Sequence, residues 1–366
     1  MAKITIILHD LRGGGAEKMM VRLANQLVED GDTVDMILIT AGGTNKDFLH
    51  EKVNLIELNC KRTLDAFGPM RKALKTSRPD GVLAALTHVN VITSIVCFSI
   101  GWLKKLSVSE RNAFSLDKKV NTNRVMKAAY FLAPYIYRFL PNPVIAVSQG
   151  VADDLVATTV VRSKDVITAP NPVITKQTIE SASEQAKHPW LTDKQTKIIV
   201  AVGRLSYQKG FDMLIDAFYR IHDMVNARLV IFGEGDLRPE LERQIASLGL
   251  SERVCLAGYT TNPLAEIKLA DLYVLSSRFE GSPNALVEAM SVNTAVIAFD
   301  CPHGAREILQ NGNAAPLIDY LNVEELSTSI LSSIQCPMDT DYSQFVSKFT
   351  AANSAKIYRQ LLLDEN

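Results

Sequence analysis

Two doubly wound α/β domains are the fold class this sequence predicts, and three observations predict it. The chain has 366 residues, long for a single core. Short apolar runs alternate with helix-periodic segments, the mark of parallel βαβ units. That alternation halts at a polar stretch, residues 171–196, and then restarts. The expected boundaries are 1–170 for the first domain and 171–341 for the second. The tail, 342–366, is helical in pattern and suits a helix crossing back to the first domain.

Each element follows in order. ITIIL (4–8) leads into Gly13, Gly14 and Gly15, and a helix follows with Met19, Met20, Leu23, Ala24 and Leu27 at helical spacing. VDMILIT (34–40) and VNLIEL (53–58) read as strands. Residues 82–103 carry no formal charge and are long enough to span a bilayer. Thr87, His88 and Asn90 interrupt that run, so a buried strand, 82–86, and a buried helix from about 89 are expected instead. LSVSE (106–110), a long helix near 120–140 and PVIAVS (143–148) complete the first half. Residues 171–196 read as a linker. Strands then fall at 196–203, 227–235, 254–258, 270–277 and 295–300, with helices from 210, 236, 283, 304 and near 322–334.

Composition excludes several classes. Hydrophobic content is 47% and charged content 22%, ordinary for a globular protein and unlike a disordered one. The net charge of −1 hides an asymmetry: residues 1–148 hold 20 Lys and Arg against 13 Asp and Glu, and the remainder holds 19 against 27. A basic half suits a phosphate ester or an anionic membrane surface, or is an uneven surface of no consequence. Five scattered cysteines without a CxxC point to a reducing compartment and no metal site. The start, MAKITIILHDL, lacks the layout of a signal peptide.

Four motifs fall at expected strand carboxyl ends, where doubly wound sheets bind ligands. Two such domains would face each other across a cleft, the expected site. In HDLRGGGAEKM (9–19), glycines joining a strand to a helix let a ligand approach the backbone and helical amides favour an anion; the same glycines suit a plain tight turn. The dinucleotide fingerprint is absent, since its third glycine would fall on Lys18. In GRLSYQKGFD (203–212), Arg204 and Lys209 either clamp a diphosphate or are two solvated cations. In SSRFEGSPNALVEAM (276–290), Ser282 suits an N-cap and Pro283 the first helical position. Glu280 then precedes the helix, and Glu288 lies one turn beyond Asn284 on the same face. Ionised carboxylates accept hydrogen bonds from two hydroxyls at once, so Glu280 suits sugar hydroxyls and Glu288 a ribose, unless Glu288 is an exposed helical acid. FDCPHGAREIL (299–309) offers another helix start at Gly304–Arg306; His303 there is a ligand contact or a structural histidine, and Cys301 a small buried residue.

These motifs, in this order, resemble glycosyltransferase family 4, retaining nucleotide-sugar transferases of GT-B fold: two Rossmann-like domains facing across a cleft. The resemblance covers almost the whole chain and is strongest from Gly203 to Glu307. The form DCPHGARE, with SERN at 109–112, looks like bacterial members that extend O-antigen, capsule or lipid-linked oligosaccharides. It implies that a hexose or N-acetylhexosamine moves from a UDP-linked donor to a saccharide hydroxyl. Arg204 and Lys209 would bind the diphosphate, Glu280 the transferred sugar and Glu288 the ribose. Gly203, Gly281, Ser282, Pro283, Asn284 and Ala285 would complete the donor site, Gly258 and Tyr259 would lie beside the base, and Gly14 and Gly15 would approach the donor phosphate or the acceptor. Many members place a histidine after the strand equivalent to 106–110. Here Glu110 and Arg111 stand in that turn, so they and His88 are the acceptor-side candidates.

The resemblance implies no cofactor and no metal. Two DxD strings, Asp30-Gly31-Asp32 and Asp339-Thr340-Asp341, read as solvated turn acids. With no obvious nucleophile, the leaving phosphate is the expected base for same-face delivery of the acceptor. Lys118, Lys119, Arg124 and Lys127 beside Tyr130, Phe131, Leu132, Tyr135 and Phe139 suit a helix at an anionic membrane surface, or a core helix with a solvated end. The expected setting is cytoplasmic, at the inner membrane's cytoplasmic face, with no nucleic-acid partner. A sugar-nucleotide 2-epimerase of the same architecture would bind the same donor without an acceptor, and a nucleotide-sugar sensor would bind it without turnover. A nicotinamide dehydrogenase lacks its fingerprint.

Overall fold

A computed structural model describes residues 1–12, 14–120, 123–193, 195–337 and 340–363. The chain opens with strand β1 (Lys3–Leu8), helix α1 (Gly15–Glu29), β2 (Thr33–Leu38) and β3 (Asn54–Glu57). It continues with α2 (Phe67–Ser77), β4 (Gly81–Ala85), α3 (Thr87–Ser99), β5 (Leu106–Glu110), α4 (Phe114–Val120) and α5 (Arg124–Phe139). β6 (Val144–Ala146), α6 (Gln149–Thr158) and β7 (Val166–Thr168) follow. After α7 (Lys176–Ser181) the second series begins: β8 (Lys197–Val202), α8 (Phe211–Ile221), β9 (Ala227–Phe232), α9 (Arg238–Ser247), β10 (Val254–Gly258), α10 (Pro263–Lys268), β11 (Leu272–Leu275) and α11 (Asn284–Ser291). β12 (Val296–Phe299), α12 (Ala305–Ile308), β13 (Leu317–Ile318), α13 (Val323–Gln335), α14 (Ser343–Val346) and α15 (Ala351–Leu363) complete the chain.

The chain divides into two compact units: Met1–Val173 with Lys348–Asn366, and Ile174–Ser347. The first holds a seven-stranded sheet in the order β3-β2-β1-β4-β5-β6-β7, and the second a six-stranded sheet in the order β10-β9-β8-β11-β12-β13. The strand pairs of both sheets are parallel. Such strands are covered on both faces, which is why ITIIL, VLAAL and LYVL are continuous apolar runs. Both units are Rossmann-like. In each, the first strand lies inside the sheet and the chain winds away from it in both directions. The winding reverses between β1 and β4, and again between β8 and β11, the positions where such sheets open a crevice at their carboxyl ends.

The region 82–103 is β4 and α3, buried along most of its length. Two of its three polar interruptions are bonded: Thr87 Oγ1 donates to Glu110 at 2.9 Å, and Asn90 Nδ2 donates to the Ser109 carbonyl at 3.0 Å. Among the described residues no helix is long and apolar enough to cross a membrane.

The long helix near 120–140 is α5, whose cap residue Asn123 accepts a bond from Val125 N, and Lys118 and Lys119 lie on α4 before it. Two expectations are corrected. The region 171–196 is more than a linker, since α7 packs against α10 and buried Glu266 accepts from the amides of Lys187 (3.0 Å) and His188 (3.3 Å). Asp32 is not a solvated turn acid. It is 6% exposed, accepts from Ala2 N at 2.8 Å and pairs with Arg359 at 2.7 Å. Asp339 lies outside the described residues.

Helix α15 belongs to the first unit. It packs on α1, β4 and β5 and buries Ala355, Tyr358 and Leu362. Tyr358 is wholly buried and its hydroxyl accepts from Arg111 Nη1 at 2.8 Å. Tyr358→Ala removes both the packing and that bond. The expected loss in chemical denaturation is about 3 kcal/mol, confined to the transition of the first unit.

Candidate functional site

In the second unit, the loops after β8 and β11 are stitched together at the switch point. β8 ends at Val202, and a 3-10 turn, Tyr207–Lys209, leads through Gly210 into α8. Gly210 has φ +62°, and a Cβ there would stand 2.2 Å from the Ser276 carbonyl oxygen. Only glycine allows that approach. Ser276 Oγ donates to the Lys209 carbonyl at 2.9 Å, Arg278 N to the Gln208 carbonyl at 2.7 Å, and Gln208 Nε2 to the Phe279 carbonyl at 3.0 Å. The Arg278 fork grips Asp212 at 2.8 and 2.5 Å and lies over the Tyr207 ring at 4.2 Å.

That scaffold brings Lys209 and Glu280 together from 71 residues apart. Lys209 Nζ meets Glu280 Oε1 at 2.5 Å, with the two side chains 20% and 7% exposed. Ser277 Oγ donates to the same oxygen at 2.6 Å. An ion pair so far from water needs such extra bonds to offset desolvation. Glu280 Oε2 has no hydrogen-bond partner among the described residues, so one carboxylate oxygen stays available. Glu280 N donates to the Pro302 carbonyl at 3.1 Å, which draws in the loop after β12.

Gly304 permits that approach. Its φ is +85°, and a Cβ would stand 2.6 Å from Pro283 Cδ and 3.0 Å from the Gly281 oxygen. Glu288 is 6% exposed on α11, so it is not an exposed helical acid. Glu280 and Glu288 both act on Tyr273, whose fully buried hydroxyl has no hydrogen-bond partner among the described residues. Its pKa is pushed well up by burial first and by the two carboxylates next.

The remaining candidates are less drawn together. Arg204 is exposed just past β8 and forms no ion pair among the described residues. Gly203 lies under the Lys209 stem. Gly258 has φ +78° and ends edge strand β10, leaving Tyr259 69% exposed beside it. Gly281 and Pro283 are buried and Ser282, Asn284 and Ala285 half-buried. The helix start is corrected by one residue. Pro283 has ψ 89°, which is not helical, so it is the cap, α11 starts at Asn284, and Ser282 lies outside. Arg306 pairs with Asp300. Among the described residues no three His, Cys, Asp or Glu side chains gather as a metal-binding group.

In the first unit, Gly14 caps α1 in extended conformation and Gly15 is its first residue, with Gly13 outside the described residues. The Glu17 carboxylate fills the space over Gly14, where a Cβ would stand 1.9 Å from its oxygen. Glu110 and Arg111 both have partners inside the first unit. Glu110 is 3% exposed and points inward, bonded to Thr87, Asn90 and Tyr137. Burial pushes its pKa up to about 7, against the lowering effect of Tyr137 and Thr87. Arg111 is spent on Tyr358 and on Asn171 Oδ1, at 2.8 and 2.5 Å. His88 is half-buried on the first turn of α3, with its ring against His9.

Sequence reasoning missed Ser277, Arg278 and Asp212 as residues that build this site. All lie inside the quoted motifs; Ser277 has its partner Glu280 only three residues on, whereas Arg278 and Asp212 are 66 residues apart and carry no spacing signal.

Family models match both units: "Glycosyltransferase Family 4" over residues 13–177 and "Glycosyl transferases group 1" over residues 182–348. The chain is a family 4 glycosyltransferase. An uncharacterised glycosyltransferase of Methanocaldococcus jannaschii is 40% identical over 129 residues, 35% of this chain and 32% of that protein. The aligned part is thus about a third of that relative's length. A Campylobacter jejuni protein is 28% identical over 332 residues, 87% of this chain and 85% of its own. Its name is GalNAc-alpha-(1->4)-GalNAc-alpha-(1->3)-diNAcBac-PP-undecaprenol alpha-1,4-N-acetyl-D-galactosaminyltransferase. The crystal structure of Anabaena HepE in complex with UDP and glucose superposes with TM-score 0.74 at 20% identity, covering 99% of this chain and 96% of that one. The fold of this glycosyltransferase is therefore GT-B.

Two outcomes follow for the enzyme. Gly304→Ala forces a Cβ onto Pro283 at positive φ, and a stability loss of about 1–3 kcal/mol, seen as a lowered midpoint, is expected in thermal denaturation. Glu110 binds a proton more tightly folded than unfolded, so its contribution to stability falls as pH rises from its ordinary value of 4.5 through about 7. Glu110→Gln should then stabilise the first unit at pH 8, on the order of 1–3 kcal/mol, and be near neutral at pH 4 in denaturant titrations.

Proposed function

We propose that this glycosyltransferase moves a hexose or N-acetylhexosamine from a UDP-linked donor to a saccharide hydroxyl on a lipid carrier, with retention, in bacterial surface glycan synthesis. One observation carries the reading: Lys209 and Glu280 meet at the switch point of the second sheet, with one oxygen of Glu280 left open. A cation there offsets the charge of a departing diphosphate, and the carboxylate accepts from hydroxyls of the transferred sugar. Arg204 adds charge from the same strand end. Glu288 takes the ribose, and Gly258 and Tyr259 lie beside the base.

The chemistry balances without a protein nucleophile. The anomeric carbon loses its bond to the diphosphate oxygen and gains one to the acceptor oxygen on the same face. The acceptor proton passes to the leaving phosphate. Lys209 and Arg204 provide the positive charge, so the reading calls for no metal cofactor.

The lipid-linked acceptor is supported by the PP-undecaprenol in the name of the Campylobacter relative. It is supported too by the outer face of α5, where Phe131, Leu132, Tyr135 and Phe139 are 64%, 44%, 50% and 81% exposed. Arg124 and Lys127 are exposed at its start. Tyr130 is 3% exposed and belongs to the core. An apolar stripe with basic residues suits peripheral contact with an anionic bilayer at the cytoplasmic face of the inner membrane.

Lys209→Ala should lower transfer from a radiolabelled UDP-sugar by about two orders of magnitude or more with the fold intact. Unchanged turnover would defeat the reading, and product formed without any acceptor would favour the epimerase. Vesicles containing anionic lipid should float the wild type, and Phe131→Ser with Phe139→Ser should abolish flotation.

A further inference from the structure

We propose that Tyr273 is a positioning residue of the second unit's site: its hydroxyl takes hold of the Glu280 carboxylate when an incoming diphosphate draws Lys209 away. This rests on the glycosyl-transfer reading above, in which Lys209 meets the diphosphate. Tyr273 is the second residue of β11, the strand whose carboxyl end leads to Ser277 and Glu280. It lies beside Val200 of β8 and Val296 of β12, in the interior of the second sheet.

The hydroxyl is out of place in the free protein. Tyr273 is wholly buried, and its oxygen has no hydrogen-bond partner among the described residues. A buried donor left unmade costs more than an ordinary hydrogen bond contributes. Native structures keep few such groups, and those they keep call for an explanation. The charged acceptors that act on this one are carboxylates. Glu280 acts on it more strongly than Glu288. Burial and both carboxylates hold the phenol in its protonated form, so it can donate.

Charge drives the exchange of partners. In the free protein Lys209 Nζ and Ser277 Oγ both serve Glu280 Oε1, at 2.5 and 2.6 Å. A diphosphate competes for the Lys209 ammonium, a point charge on a flexible stem. Glu280 is then an ionised acid away from water that has lost its cation, the costly outcome for a buried ion pair. Its surroundings are dry. Cys301 is 3% exposed, and its thiol is pushed up by burial first and by Glu280 next, with Lys209 opposing.

Tyr273 supplies the missing donor. Glu280 lies in the loop between β11 and α11, outside both elements. Its amide is held by the Pro302 carbonyl at 3.1 Å, so its side chain can turn while the backbone stays. A neutral phenol steadies the carboxylate without adding a charge that competes for the phosphate. A carboxylate accepts at several positions, so one bond from Tyr273 leaves room for a sugar hydroxyl. Tyr273 touches no reacting atom and acts through Glu280. The free protein carries the unpaired hydroxyl, and the donor-bound protein uses it.

Tyr273→Phe in the full chain keeps the shape and removes only the hydroxyl. Without ligand it should melt at or above the wild-type midpoint, because deleting an unpaired buried polar group is neutral or stabilising. Its affinity for UDP in isothermal titration calorimetry should fall about ten-fold, the size expected for one bond to a charged group. In a Glu280→Ala background the same change should leave UDP affinity within about two-fold. A lower midpoint without ligand, an affinity unchanged from wild type, or an equal loss in the Glu280→Ala background overturns the proposal. A second arm follows the Cζ resonance of Tyr273 in protein labelled with 13C-tyrosine, assigned by Tyr273→Phe. UDP should move it in the wild type, and in ligand-free Lys209→Ala it should already be displaced in the same direction. An undisplaced signal in Lys209→Ala also overturns the proposal. If the wild type binds neither UDP nor GDP, the donor reading fails, and the Lys209→Ala signal still decides whether Tyr273 takes over Glu280.

Discussion

Parallel pairing is the constraint on which this structure depends. Parallel strands need crossover connections, and these are right-handed. A chain that starts inside a sheet and fills both sides must therefore reverse its winding once. Each unit does so, at β1/β4 and at β8/β11. No crossover covers the carboxyl ends at the reversal, and the loops there are free to carry function. Lys209 and Glu280 follow strands on either side of one reversal, and His9 and His88 follow strands on either side of the other.

The two reversals carry opposite chemistry on one architecture. The second sheet places an ion pair there and supports it with Ser277 and the Arg278–Asp212 fork. The first sheet places half-buried imidazoles there and keeps its acid, Glu110, turned inward.

Much of this was legible in sequence, for a physical reason. Buried parallel strands are continuous apolar runs, and LSVSE was read to the residue. Pro and Gly mark the loops that follow them. The motif EGSPNALVE gave both acids their positions because a helix start fixes local spacing. What it could not give was direction. Glu110 is an acid at a strand end like Glu280, yet its partners Tyr137 and Thr87 lie 27 and 23 residues away and turn it into the core. Short elements such as β7, α10 and α7 were missed because three to six residues give too little periodicity. Asp32 looked like a turn acid because its partner, Arg359, lies 327 residues further on.

Helix α15 has a consequence for how such proteins are recombined. The first unit is discontinuous in the chain, closed by residues that come after the whole of the second. A single cut near residue 173 would leave one half without the helix that covers β4 and β5, and the other with an orphaned amphipathic tail. Swapping one half between relatives therefore takes two junctions, near 173 and near 347. A library built with one breakpoint would mostly yield chains whose last helix was shaped for somebody else's sheet.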